Sequence, residues 1–247
     1  MPKISEFVLI VSKDTSYVVN TKKDFHTKDG VILAKQFENK KFGDKIKTHL
    51  GKDFLILRPT IADILEKKVE RGAQVILPKD IAIILAYTGV NSDSIAVDAG
   101  TGSGYLAIFL ANFLSKGRVI TYELRQDFFE KAKRNIQFSG LTNIEIKRGD
   151  VTKSIKEREV DLVTLDLQGA KDALKNAYDS LRIGGWLVIY SPTVEHLMGV
   201  LKELKRTGFS QTKTVENIVR EWQVELTVRP KSIGIMHTGW LTFARKL

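Results

Sequence analysis

The stretch VDAGTGSGYL, Val97–Leu106, closes an apolar run, Ser94–Ala99, that reads as a buried strand. It opens a segment whose apolar residues Leu106, Ile108, Phe109, Leu110 and Phe113 fall at helical spacing. Strand, glycine turn and helix in this order build the place where an α/β fold lets a ligand approach the backbone. The glycines stand at 100, 102 and 104, and Tyr105 occupies the position that the third glycine of a G-x-G-x-x-G dinucleotide fingerprint would take. Phosphate needs several free N–H groups at a helix N-terminus, whereas a nucleoside needs only close backbone approach and hydrogen bonds. The G-x-G-x-G spacing favours the nucleoside.

Two later strands carry matching acids. RVITYEL, Arg118–Leu124, presents Glu123, which lies 23 residues after Gly100, where a carboxylate can accept both hydroxyls of a ribose. IEIKRGD, Ile144–Asp150, ends in Asp150, whose carboxylate can reach an exocyclic adenine amine while Val151 meets the ring. A fourth strand, Asp161–Leu167, ends with Asp166 beside the crevice where an acceptor would enter. Taken singly, each acid reads equally well as a helix cap or a solvated turn. The ordered set resembles the Rossmann-like AdoMet-dependent methyltransferases. That resemblance implies S-adenosyl-L-methionine as cofactor, bound by Asp98, Gly100, Thr101, Gly102, Ser103, Gly104, Glu123, Asp150, Val151 and Asp166. NAD and a ligand-free fold are the alternatives.

The rest of the chain fits this frame. From about Ala73 onward strands and helices alternate, with helices expected near 103–115, 127–139, 170–182 and 193–207 and another opened by Pro78. The pattern predicts an α/β domain over 73–247 with a seven-stranded, mostly parallel sheet. Phe209–Val219 and Trp240–Lys246, with no helix between them, predict an antiparallel pair at its edge. Residues 1–72 read instead as short strands (Phe7–Ser12, Ser16–Asn20, one within His26–Ala34, Phe54–Pro59) and a linking helix in Thr60–Gly72. They predict a small β-rich domain, a barrel or sandwich.

Composition narrows the classes. There is no cysteine, which removes disulfides, thiolate metal sites and cysteine nucleophiles, and no metal site is expected. No apolar run is long enough to span a membrane, and the N-terminus lacks a signal-peptide core, so a soluble cytoplasmic protein is expected. The net charge is +10, which suits a polyanionic partner. Residues 1–72 carry 15 Lys and Arg against 10 Asp and Glu, and residues 73–247 carry 24 against 19, so the first part has more than twice the charge density.

Beyond the glycine turn, the strings HTKDGVI (26–32), THLG (48–51), LRPT (57–60), RGAQVILPKD (71–80), SPT (191–193), REW (220–222), VRP (228–230) and HTGWL (237–241) occur in order. Over nearly its whole length the chain resembles the tRNA (adenine-N1)-methyltransferase family that modifies adenosine 58 of the T-loop, in its archaeal and bacterial single-subunit form. The resemblance implies tRNA as substrate, a homotetramer, a tRNA-contacting N-terminal domain and Asp166 as the catalytic residue. It places Gln74 at the cofactor, and Leu77, His237, Arg220 and Arg229 toward the substrate. Lys28, Arg58 and Lys231 are further phosphate candidates. The chain departs from the family pattern at Leu167–Ala170 after the aspartate, at Leu77, and at Met236 before His237. A non-catalytic tRNA-binding paralogue and a methyltransferase with a different acceptor therefore stand as alternatives.

Overall fold

The structure, a computed structural model, describes residues 6–70, 75–224, 227–232, 234 and 237–247. The chain divides into two compact units, Met1–Val69 and Glu70–Leu247.

In the first unit, β1 (Phe7–Val11), β2 (Ser16–Asn20), β5 (Lys45–Lys47) and β6 (Asp53–Leu57) form an open antiparallel sheet in the order β2-β1-β6-β5. β3 (Phe25–Thr27) and β4 (Gly30–Ile32) make a separate hairpin across the Asp29–Gly30 turn. The sheet is open, where a closed barrel or sandwich was expected, because β2 and β5 each pair with one neighbour only among the described residues. Alternation along β6 sends Phe54 and Ile56 inward onto Val8, Ile10, Val19, Ile32, Phe37 and Ile46. α1 (Ile61–Lys67) starts at a reciprocal cap in which Thr60 Oγ1 accepts the Asp63 N–H and an Asp63 oxygen accepts the Thr60 N–H.

The second unit contains α2 (Pro78–Thr88), β7 (Ile95–Ala99), α3 (Tyr105–Phe113), β8 (Arg118–Glu123), α4 (Gln126–Ser139), β9 (Ile144–Arg148), β10 (Val160–Leu165), α5 (Leu174–Ser180), β11 (Leu181–Ser191), α6 (Val194–Leu204), β12 (Phe209–Glu216), β13 (Trp222–Gln223), β14 (Arg229–Pro230) and β15 (Trp240–Lys246). Its sheet runs β12-β15-β11-β10-β7-β8-β9. Strands β7 to β11 are mutually parallel, and β15 is antiparallel to both of its neighbours. The expected pair is present, with β12 outermost and β15 the reversed strand. The segment between them contributes the small β13–β14 hairpin. β11 begins at Leu181 and carries the glycine pair Gly184–Gly185 inside it.

The chain steps outward from β7 through β8 to β9, then returns to the other side of β7 with β10. This is the topological switch point of an open α/β sheet, where the carboxyl ends of two adjacent strands diverge and leave a crevice. Gly100 follows β7 and Asp166 follows β10. The buried core beneath them includes Val97, Ile120, Val163, Leu165, Leu187 and Ile189.

Candidate functional site

The glycine turn adopts backbone that only glycine accepts freely: φ is +89° at Gly100, +55° at Gly102 and +82° at Gly104. Space above Gly102 is open, since a Cβ there would meet only the Gly100 carbonyl at 3.8 Å. Gly104 ends the turn as the N-cap of α3, with Ala132 and Ile136 of α4 packed 3.6 Å from where its Cβ would be. The Ser103 hydroxyl is buried within the turn and has no hydrogen-bond partner among the described residues.

Glu123 closes one side. Its Oε2 accepts the Gly102 N–H at 2.9 Å, and its Oε1 accepts the Arg125 N–H at 2.9 Å. Each oxygen keeps a lone pair for a further donor. Asp150 Oδ1 takes both the N–H and the hydroxyl of Thr152, at 3.0 and 2.6 Å. The Thr152 hydroxyl bond holds the Asp150 carboxyl below its ordinary value, so it stays an acceptor. Val151 is buried in the core beside it.

Asp98 sits behind the turn. Strand register places Thr164 on one side of it and Thr121 on the other. Their hydroxyls donate to its two oxygens at 2.7 Å each. Thr121 Oγ1 also lies 2.6 Å from Thr101 Oγ1, which links the carboxylate to the turn. Burial pushes the Asp98 carboxyl up, against the lowering effect of the two hydroxyl bonds.

Asn135, on α4, is a site residue that the sequence reading missed. Its amide donates to the Ser103 carbonyl at 2.8 Å and to the Glu70 carbonyl at 3.3 Å, while its oxygen accepts the Glu70 N–H at 3.2 Å. It joins the glycine turn to the chain just before Gln74. Gln74 itself lies outside the described residues.

Asp166 is positioned through its backbone: its N–H donates to the Ala99 carbonyl at 2.8 Å. The side chain is half-buried, and among the described residues nothing donates a hydrogen bond to it. Burial, with the charge of Asp98 adding, pushes its carboxyl up to about 7. It faces a cleft of about 640 Å³ at the ends of β10 and β11, lined also by Gln168, Lys171, Tyr190, Thr193 and His196. An unpartnered carboxylate in a cleft is an acceptor ready for an incoming donor.

The four substrate candidates lie elsewhere. Among the described residues, none of Leu77, His237, Arg220 and Arg229 lines this cleft. Leu77 is the N-cap of α2. His237 Nδ1 meets Glu216 Oε1 at 2.5 Å, and its ring packs on Trp240 at 4.4 Å. A buried node ties these two regions together: Lys79 Nζ donates to Asp80, to the Asn217 carbonyl and to Thr238 Oγ1. Thr238 reaches the cleft indirectly, because its carbonyl accepts the hydroxyl of Tyr190. Arg220 and Arg229 are exposed near the β13–β14 hairpin.

The residues present fit S-adenosyl-L-methionine. An open glycine turn, a carboxylate at the ribose position and another at the adenine position suit its nucleoside half. Comparison with known proteins agrees. A tRNA (adenine(57)-N(1)/adenine(58)-N(1))-methyltransferase, TrmI, of Methanocaldococcus jannaschii is 35% identical over 90% of this chain and 87% of its own length. The tRNA (adenine(58)-N(1))-methyltransferase TrmI of Thermus thermophilus is 29% identical over 95% of this chain and 94% of its own. Among solved structures, a SAM-dependent O-methyltransferase of Thermotoga maritima superimposes with a TM-score of 0.89 at 28% identity, covering 99% of this chain and 95% of that one. The tRNA (m1A58) methyltransferase TrmI of Aquifex aeolicus gives 0.82 at 26% identity, covering 99% and 98%. Residues 54–232 match the family described as the tRNA methyltransferase complex GCD14 subunit, and the chain belongs to that family.

Proposed function

We propose that this protein is an S-adenosyl-L-methionine-dependent tRNA methyltransferase that modifies N1 of adenosine 58 in the T-loop. The observation that carries this reading is Asp166: a carboxylate without a donor among the described residues, held against the end of β7 and open to a cleft. The relatives' names supply the acceptor.

Glu123 would take the ribose hydroxyls of the cofactor, Asp150 its adenine amine, and the Gly100–Gly104 backbone its length. When bound, S-adenosyl-L-methionine supplies an electrophilic methyl group on a sulfonium. The chain's own task is alignment. Adenine N1 carries a lone pair and no proton at neutral pH, so no strong base is required. Asp166 accepts a hydrogen bond from the adenine 6-amino group, which orients the ring and favours the positive charge that develops on it. Holding two reactants in attack geometry contributes as much as roughly 7–11 kcal/mol. The base must first leave its stack, which costs about a few kcal/mol. Lysine and arginine contacts to phosphate offset that cost.

Residues 1–72 form the proposed tRNA-contacting domain, supported by their charge density, and residues 73–247 the catalytic domain. A homotetramer is the proposed assembly. Its support is the resemblance, together with Ile218, Val219, Trp222, Val224 and Val228 around the β13–β14 hairpin, each at least half exposed and available for a second copy to cover. A tRNA substrate supports a cytoplasmic location. The deciding experiment is methyl transfer from labelled S-adenosyl-L-methionine to unmodified tRNA, with the product mapped by primer-extension stops. A stop at 58 supports the reading, and an added stop at 57 extends it. No stop in the T-loop overturns it.

A further inference from the structure

The Asp166 cleft contains one imidazole, His196, in the first turn of α6. The backbone N–H of His196 is capped by the Thr193 hydroxyl at 3.2 Å, which fixes the start of the helix. Its ring then bridges two other segments. Nε2 lies 3.1 Å from the carbonyl oxygen of Leu167, and Nδ1 lies 2.9 Å from Ser191 Oγ. Leu167 is the residue directly after Asp166.

The partners assign the tautomer. A carbonyl oxygen can only accept, so Nε2 carries the proton and donates it to Leu167. In the neutral ring Nδ1 is then an acceptor, and the buried Ser191 hydroxyl donates to it. The peptide around Asp166 is thus tied on both sides, by its own N–H to Ala99 in β7 and by the following carbonyl to His196. The Leu167 carbonyl also accepts the Ala170 N–H at 3.2 Å, and among the described residues the Asp166 side chain has no hydrogen-bond partner of its own, so it hangs from a backbone held by these ties.

We propose that His196 is a positioning residue for methyl transfer: protonated on Nε2, it holds the Leu167 carbonyl and aims the Asp166 carboxylate at the acceptor base. This rests on the reading of the cleft as the acceptor site. The alignment is lost when the donor is lost, and a misplacement of about 1 Å at a reacting group costs up to about a hundredfold in rate.

The test compares His196→Ala, His196→Phe and His196→Gln. Phenylalanine fills the space without a donor. The glutamine amide offers an N–H to Leu167 and an oxygen to Ser191. Expected are a kcat at least tenfold below wild type in the Ala and Phe variants, a KM for S-adenosyl-L-methionine within twofold, and recovery of most of the lost kcat in His196→Gln. A kcat within twofold of wild type in the Ala or Phe variant overturns the proposal, as does a glutamine variant no better than phenylalanine. Amide exchange over residues 166–170 is read in parallel and needs no activity. It should quicken at least fivefold in this segment alone for the Ala or Phe variant, and return toward wild type with Gln. Unchanged exchange overturns the proposal as well. If the wild type leaves the T-loop unmethylated, the proposed function fails, while the exchange measurement still decides whether His196 holds Leu167.

Discussion

Gly100 and Asp166 meet backbone to backbone: a Cβ on Gly100 would lie 2.0 Å from the Asp166 carbonyl oxygen. The turn proposed to receive the cofactor and the strand end that carries the proposed acceptor-site carboxylate are therefore in contact across the switch point. Gly100→Ala adds this clash to a positive φ of +89°. Expected is a loss of at least about 2 kcal/mol of stability, measured by denaturant midpoint. Affinity for S-adenosylhomocysteine should fall with it.

Asp166→Ala removes the proposed acceptor for the adenine amine but leaves the backbone ties in place. Methylation should fall about 10²–10³-fold in kcat, the loss typical of one preorganised polar group at a reacting centre. Calorimetric binding of S-adenosylhomocysteine should stay within a few-fold. Full activity in the variant would remove Asp166 from the mechanism.

Titration of Asp166 sets a pH profile. Its carboxyl is pushed up from 3.8 to about 7, chiefly by burial, and in the proposed mechanism the ionised form is the one that accepts the amine. The rate should therefore rise with pH and level off above about 7, and Asp166→Asn should flatten that limb. Stability runs the other way. A raised carboxyl favours the folded protein while protonated, and that contribution is lost as pH rises through about 7. Asp166→Asn should gain stability relative to wild type across the interval from about pH 4 to 7, read by melting temperature.

Asn135→Ala cuts the link between the glycine turn and Glu70. Affinity for S-adenosylhomocysteine should drop about tenfold, or about 1.4 kcal/mol, the size of a hydrogen bond left unmade around a buried amide. Affinity for tRNA should be unchanged. An unaltered cofactor affinity would show that the turn holds its shape alone.

Binding of tRNA should weaken steeply with salt, since the protein carries a net charge of +10. Arg220→Ala and Arg229→Ala should each lower affinity and reduce the slope of log K against log salt by about one if the side chain meets a phosphate. Both residues are exposed and stand near the hairpin. A slope identical to wild type would assign them to the solvated surface.

Local pattern made much of this architecture readable. Glycine spacing, strand-end acids and alternating elements make the turn, Glu123, Asp150 and Asp166 legible in the sequence, because each depends on a few neighbouring residues. What escaped depends on partners far along the chain. Asn135 and His196 look like ordinary polar helix residues in sequence, and only packing brings one to Ser103 and the other to Leu167. Asp98 is a cofactor-binding candidate by its place in the sequence, and only strand register shows that the Thr121 and Thr164 hydroxyls donate to its two oxygens. The three-residue β5 has too little alternation to be seen alone, and it exists because β6 pairs with it.

The place of β15 has a consequence for biosynthesis. It comes later in the chain than β12, yet it lies between β12 and β11 in the sheet. β12 pairs with β15 alone among the described residues, so as the polypeptide leaves the ribosome it has no strand to join until Trp240–Lys246 is made, and the edge is complete only once β15 docks on β11. Until that last docking, β11, which ends in Tyr190 and Ser191 at the cleft, has an open flank, and a nascent chain stalled before residue 240 would hold the glycine turn without a finished acceptor side.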